Sequence, residues 1–172
     1  MSTTVVYASG QSGHVFSFHA TYLTAARNAA TAVPSAQLVY VGQLTSYACE
    51  QTFLKWDTSA IGTDTVSNVD FEVDGYNDDS TTDFVLEGYV FDWSTTLTTA
   101  DYRTSDSGIP ALGSIISSYD TTGGWTLTAG YNNDLGANAA FASAINGAGD
   151  TLIVVISDQH RLESQPTTAA TR

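Results

Sequence analysis

Six carboxylates crowd the stretch DFEVDGYNDDSTTD, Asp70 to Asp83, and carboxylates so close together could hold a cation or share acid and base work. Asp70, Glu72, Asp74 and Gly75 look like the opening of an EF-hand loop. The alternation argues otherwise, because Phe71 and Val73 need burial and so demand a strand. Side chains two apart on one strand face stand about 6.8 Å from each other. A calcium ion with ligands at about 2.3–2.6 Å bridges at most two of them. The twelfth loop position, where a bidentate Glu belongs, is Thr81. Asp78, Asp79 and Asp83 form the better candidate metal site, a structural calcium held in the loop after the strand. The plainer reading of that loop is a solvated acidic turn.

Other chemistry has weaker footing. Glycoside hydrolysis needs two carboxylates about 5–5.5 Å or 6.5–9.5 Å apart across a cleft, and a chain with eighteen acids meets that condition by chance. A serine triad needs a histidine, and His14, His19 and His160 are present, but no Gly-x-Ser-x-Gly elbow is. His14 and His19 are five apart and face opposite sides of a strand, so all three histidines read as surface or turn residues. No phosphate-cradling glycine loop occurs. These observations predict a protein that is not an enzyme. Among the aromatics, Trp56 and Trp93 fall at strand ends and read as core or rim. Tyr102, Trp125 and Tyr131 fall near loops and are the candidates for contact with a protein partner or a glycan.

The elements that must position these residues are mostly strands. Ser and Thr make up roughly a quarter of the 172 residues, a bias that suits wet strand faces and turns. Val5–Ser9 and His14–Ala20 read as a first pair of strands. TYLTAARNAATA fits a helix and a non-helical segment equally well. Leu38–Leu44, Ser46–Trp56, Val66–Tyr76, Phe84–Trp93, Leu112–Ser118 and Trp125–Thr128 follow as strands. Residues 137–145 make the clearest helix, opened by an Asn138 cap and closed by Asn146-Gly147. Thr151–Ser157, TLIVVIS, is a continuous apolar run expected of a strand buried on both sides or of a central one. Asp57–Thr63 reads as a turn or a single helical turn. About eight or nine strands at this spacing make an all-β sandwich. The length suits one domain over residues 1–172, with a poorly ordered or partner-docking tail from about residue 158.

Charge narrows the partners. The net charge is −13, which opposes nucleic acid and anionic membrane surfaces. Residues 1–50 carry only Arg27 and Glu50, whereas residues 57–106 carry twelve acids against Arg103. The acidic side of Val66–Tyr76 is expected to face water as the exterior of an outer strand, where charge also discourages unwanted sheet addition. Cys49 is the only cysteine, so it reads as a buried small residue rather than half of a disulfide. The N-terminal residues lack a basic segment followed by an apolar run and are not expected to act as a secretory signal.

Three strings resemble one family. FLKWDTSAIGTDTVSNVDFEV is similar to the strand, D-T-S-x-I turn and strand layout of DNRLRE-type jelly rolls, themselves similar to some carbohydrate-binding modules. DSTTDFVLEGYVFDWSTTLTTADY and ANAAFASAINGAGDTLIVVIS resemble the branch of that family found in bacteriophage virion proteins. The likeness runs from about Val6 to Ser157. Lys55 and Trp56 stand where a variable residue and Phe are usual, and the chain stops at PTTAATR where the pattern usually adds a strand. The resemblance implies a jelly roll, a structural calcium in some members, and a virion surface role made without catalytic residues. A capsid decoration (cement) protein is the expectation, assembled with other copies of itself, as trimers, on a major capsid or tail protein. A glycan-binding module of a head or tail fibre and a strand-exchanged filament subunit are the alternatives. A neighbour's terminal segment would complete the sheet.

Overall fold

The computed structural model describes residues 3–28, 31–34, 40–44, 47–77, 82–94, 96–124, 127 and 132–164. Among them are nine strands, and the architecture is an all-β sandwich. The larger sheet has seven antiparallel strands. Its order is β2 (Thr31–Pro34), β1 (Gly13–Phe18), β4 (Ala48–Asp57), β9 (Asp150–Ser157), β6 (Val85–Val90) and β7 (Ser117–Asp120), with β3 (Gly42–Leu44) also pairing with β4. The second sheet is the pair β5 (Glu72–Asp74) and β8 (Asn132–Asp134).

The apolar run of β9 explains the layering. Leu152, Val154 and Ile156 point to one face, while Ile153 and Val155 point to the other. Both faces therefore need a cover. On the first, α1 (Tyr22–Arg27) supplies Tyr22, Ala25 and Ala26, and the segment 91–112 supplies Trp93, Leu97, Tyr102 and Ile109. They close over Val15, Cys49, Phe53 and Tyr89 of the sheet. On the second, Phe71, Leu135, and Phe141 of α2 (Ala139–Ala144) close over Leu54, Leu86, Ile153 and Val155. Burying each such aliphatic side chain contributes about 1.5–3 kcal/mol.

Several expectations hold. The helix α2 opens on Asn138, whose side chain accepts from Ala140 N at 2.8 Å. Cys49 is buried, Trp93 is core, and Trp56 packs partly buried against the second cluster. The D-T-S-x-I turn becomes a single 3₁₀ turn, Ser59–Ile61. Its Thr58 hydroxyl lies 2.8 Å from Asn146 O, Gly149 O and Thr151 Oγ1, fastening the end of β4 to the start of β9. Asp57 accepts from Ser59 N and Oγ, which lowers its pKa below the usual carboxylate value. Beside this turn Gly147 lies so close to Gly62 O that a Cβ would collide with it.

Other expectations are corrected. Residues 3–9 belong to no strand. TYLTAARNAATA divides into α1 and the start of β2, because an Ala-rich segment follows whichever neighbours offer burial. Among the described residues the strand expected over Val66–Tyr76 is reduced to Glu72–Asp74, paired with β8, and Leu135 N also donates to Phe71 O at 2.7 Å. Leu112–Ser118 starts in a 3₁₀ turn at Pro110–Leu112, and the strand begins at Ser117. Most of Trp125–Thr128 lies outside the described residues. The tail expected from about residue 158 starts in a packed helix, α3 (Asp158–Arg161), and residues 165–172 lie outside the described ones. No helix among the described residues is long and apolar enough to cross a membrane.

Replacing Thr58 with Ala removes the hydroxyl and its contact with Thr151 Oγ1, while Gly149 O keeps Thr58 N and Asn146 O keeps Gly149 N as donors. The expected loss is about 0.5–1.5 kcal/mol, read as a lower urea midpoint at unchanged m-value.

Candidate functional site

The densest polar cluster lies where β9 ends and α3 folds back over β4. Gln51 of β4 is buried and makes a paired contact with Arg103, accepting from its N at 2.8 Å and donating to its O at 2.6 Å. That pairing fixes the amide, so Gln51 Nε2 also donates to His160 Nδ1 at 3.2 Å. Nδ1 is then an acceptor, and the ring proton sits on Nε2, which donates to Ala26 O at 3.0 Å. Tyr102 completes the cluster, its hydroxyl donating to Ala25 O at 3.1 Å and lying 3.3 Å from His160 Nε2. Four separate pieces of chain meet here, and each polar group is satisfied.

The chemistry available to this cluster is limited by its dryness. Burial holds the His160 pKa down at about 4 and pushes the Cys49 thiol up to about 12. Burial likewise raises Tyr22 and Tyr102. At neutral pH the cluster is uncharged and contains neither a thiolate nor an imidazolium. It works as a clamp between β4, α1, α3 and the segment at 102–103.

A second buried group lies beside it. Glu87 of β6 accepts from Arg161 Nε and Nη2, both at 2.7 Å, and from the Tyr89 hydroxyl at 2.8 Å. A buried carboxylate is tolerated only when its oxygens are filled in this way. Arg27 makes the same kind of forked contact with Glu163, whose Oε1 also accepts from Ser105. Lys55 reaches Asp150 Oδ2 and Gln11 Oε1, each at 2.7 Å. Arg103 lies 4.2 Å over the Phe91 ring and donates to the carbonyls of Asp101 and Ala100. Every lysine and arginine among the described residues is thus engaged within the molecule.

The acids are placed differently. Asp70, Glu72 and Asp74 are exposed, while Phe71 is buried and Val69 and Val73 pack against the second core cluster, the alternation expected of an outer face. Asp134 of β8 stands directly opposite Glu72 and is exposed too. Like charges facing each other across a ladder are unfavourable, and here water and salt screen them.

No family model, curated protein or solved structure matches this chain.

The residues singled out from the sequence fare unequally. Tyr102 is a correction. It is 3% exposed, inside the clamp, and cannot meet a partner or glycan, because its loop folds inward over the sheet. Trp125 and Tyr131 lie outside the described residues. Asp83 is exposed and its carbonyl accepts from Gln159 Nε2 at 3.3 Å; Asp78 and Asp79 lie outside the described residues. Among the described residues no group of three or more His, Cys, Asp or Glu could hold a metal ion. His19 is exposed as expected, but His14 and His160 are buried. Sequence reasoning missed the clamp and the Glu87–Arg161 pair. The available signal was Gln51 and Glu87 themselves, polar residues inside otherwise apolar strands.

Two outcomes follow from this wiring. The unfolded chain takes up a proton at His160 near pH 6.5 and the folded chain only near pH 4. Stability is therefore full above pH 6.5 and falls as pH drops toward 4, by an amount on the order of 3 kcal/mol. Urea midpoints between pH 7 and pH 5 should show this slope, and His160→Gln should flatten it. Arg161→Met leaves Glu87 buried without its cation. Because Arg161 is partly exposed, the expected cost is about 2–3 kcal/mol, at the low end for a buried pair, and thermal melting would register it.

Proposed function

We propose that this chain is a non-enzymatic structural protein of a bacteriophage particle, a capsid decoration protein that adheres by an uncharged edge and keeps its acidic side in water. The observation that carries the reading is the segregation of charge. Residues 1–49 contain no Asp or Glu, and all eighteen acids follow. That acid-free part builds β1 and β2, one edge of the large sheet, together with α1 and with β3 on the other side of β4. It also holds Val5, Tyr7, Phe18 and Leu23, half of the large apolar side chains left exposed among the described residues.

Such a distribution suits adhesion. Apolar side chains supply the contact, and β1 and β2 themselves bring no carboxylate that must be dehydrated when the edge is covered. The acid-bearing remainder, whose lysine and arginines among the described residues are engaged internally, stays strongly negative and resists non-specific association. The similarity of FLKWDTSAIG and the two later strings to phage jelly-roll proteins supplies the choice of partner, a major capsid or tail protein.

Purified particles of the source phage, digested and analysed by mass spectrometry, should yield peptides of this chain in stoichiometric amount. Particles lacking its gene should still assemble and lose their contents at a lower temperature. Purified particles without the chain would refute the placement.

A further inference from the structure

The segment Thr3–Ser9, TTVVYAS, is strand-forming in sequence and belongs to no strand in the structure. Thr, Val and Tyr fill its first five positions, all residues enriched in sheets. Val5 and Tyr7 are 68% and 86% exposed, and Val6 between them is half-buried. Two apart, Val5 and Tyr7 share one side of an extended chain. Among the described residues the arm's main-chain hydrogen bonds lie at its base. Ser9 N donates to Lys55 O at 2.8 Å, and Lys55 N donates to Ser12 Oγ at 3.1 Å. Residues 3–8 make no main-chain hydrogen bond among the described residues.

The same chain carries a matching acceptor. β2 pairs with β1 on one side, and no strand pairs with its other side among the described residues. An edge of this kind recruits an extended segment by main-chain hydrogen bonding. Arm and edge are not paired within one molecule among the described residues: the arm bonds to β4 at Ser9, and the strand paired with β2 is β1.

We propose that the arm Thr3–Ser9 of one copy adds as a strand to the β2 edge of a second copy, with Val5 and Tyr7 buried in the contact. Charge selects the second copy's edge. Each molecule carries a net −13, so contacts through the remaining surface bring carboxylates together. Arm, β1 and β2 contain none, so two copies approach there without that repulsion. The contact joins different surfaces of the two partners, and such contacts close into rings or continue as filaments. An arm fully extended spans about 23 Å at roughly 3.3 Å per residue, longer than four-residue β2 requires. This deepens the adhesive reading above by naming a contact between copies, and its test is independent of where the protein resides.

Sedimentation of the full chain should show concentration-dependent association into a defined oligomer. The Val5→Asp/Tyr7→Asp double variant should weaken that association at least roughly 100-fold, and its melting temperature should stay unchanged because both residues lie outside the core. Tyr7→Cys mixed with Thr31→Cys should give disulfide-linked heterodimers under mild oxidation, with buried Cys49 as a silent background. A wild-type chain that stays monomeric up to about 100 μM, a double variant that associates like wild type, or an absent Tyr7→Cys to Thr31→Cys cross-link overturns the inference. A monomeric chain still recovered from virions sinks only this inference. An arm-linked oligomer absent from virions sinks only the placement.

Discussion

Strand β9 is the constraint on which the rest of the molecule depends. It is hydrogen-bonded on both edges, to β4 and to β6, and its aliphatic side chains are buried on both faces. A strand with that environment cannot be satisfied by a single sheet exposed to water on one side. It forces a covering layer on each face, and the chain supplies two unlike ones. One is built from α1 and the segment after β6, the other from the β5–β8 pair and α2. The short length of β5 and β8 becomes intelligible in this light, because they act as a lid of Phe71, Val73 and Leu135 rather than as a second full sheet.

Polar groups inside this frame are there to join layers. Gln51 and His160 are 109 residues apart in sequence and 3.2 Å apart in space, and they link the sheet to α3 and to the loop at Arg103. Glu87 and Arg161 repeat the arrangement from the neighbouring strand. Among the described residues the few cations of a very acidic chain are thereby engaged internally, Arg27 and Arg161 in holding helical pieces in place. The unbalanced negative charge is left on the outside, and the longest stretch without an acid is the first 49 residues.

How far the sequence revealed this depends on the range of the interactions involved. The run of β9, the in-and-out pattern from Asn68 to Asp74, the burial of Cys49 and the Asn138 cap are local signals, and each appears where expected. Tyr102 and His160 were misjudged because their surroundings in sequence are polar loops, and only partners some 50 to 130 residues distant make them interior. The Ala-rich segment after Thr21 was ambiguous for a related reason. It has no face of its own, so α1 and β2 are decided by the sheet that receives them. At residues 3–9 local preference and structure disagree outright: strand-forming side chains stand without a ladder.

The position of β9 in the chain also bears on how the protein is made. The half-sheet β2-β1-β4 and the pair β6-β7 do not touch along their backbones until β9 enters between them, yet β9 follows all of them in the chain. Until β9 is made, the nascent chain therefore exposes two open sheet edges. The sheet can close only once β9 is available, in one cooperative step dominated by long-range pairing.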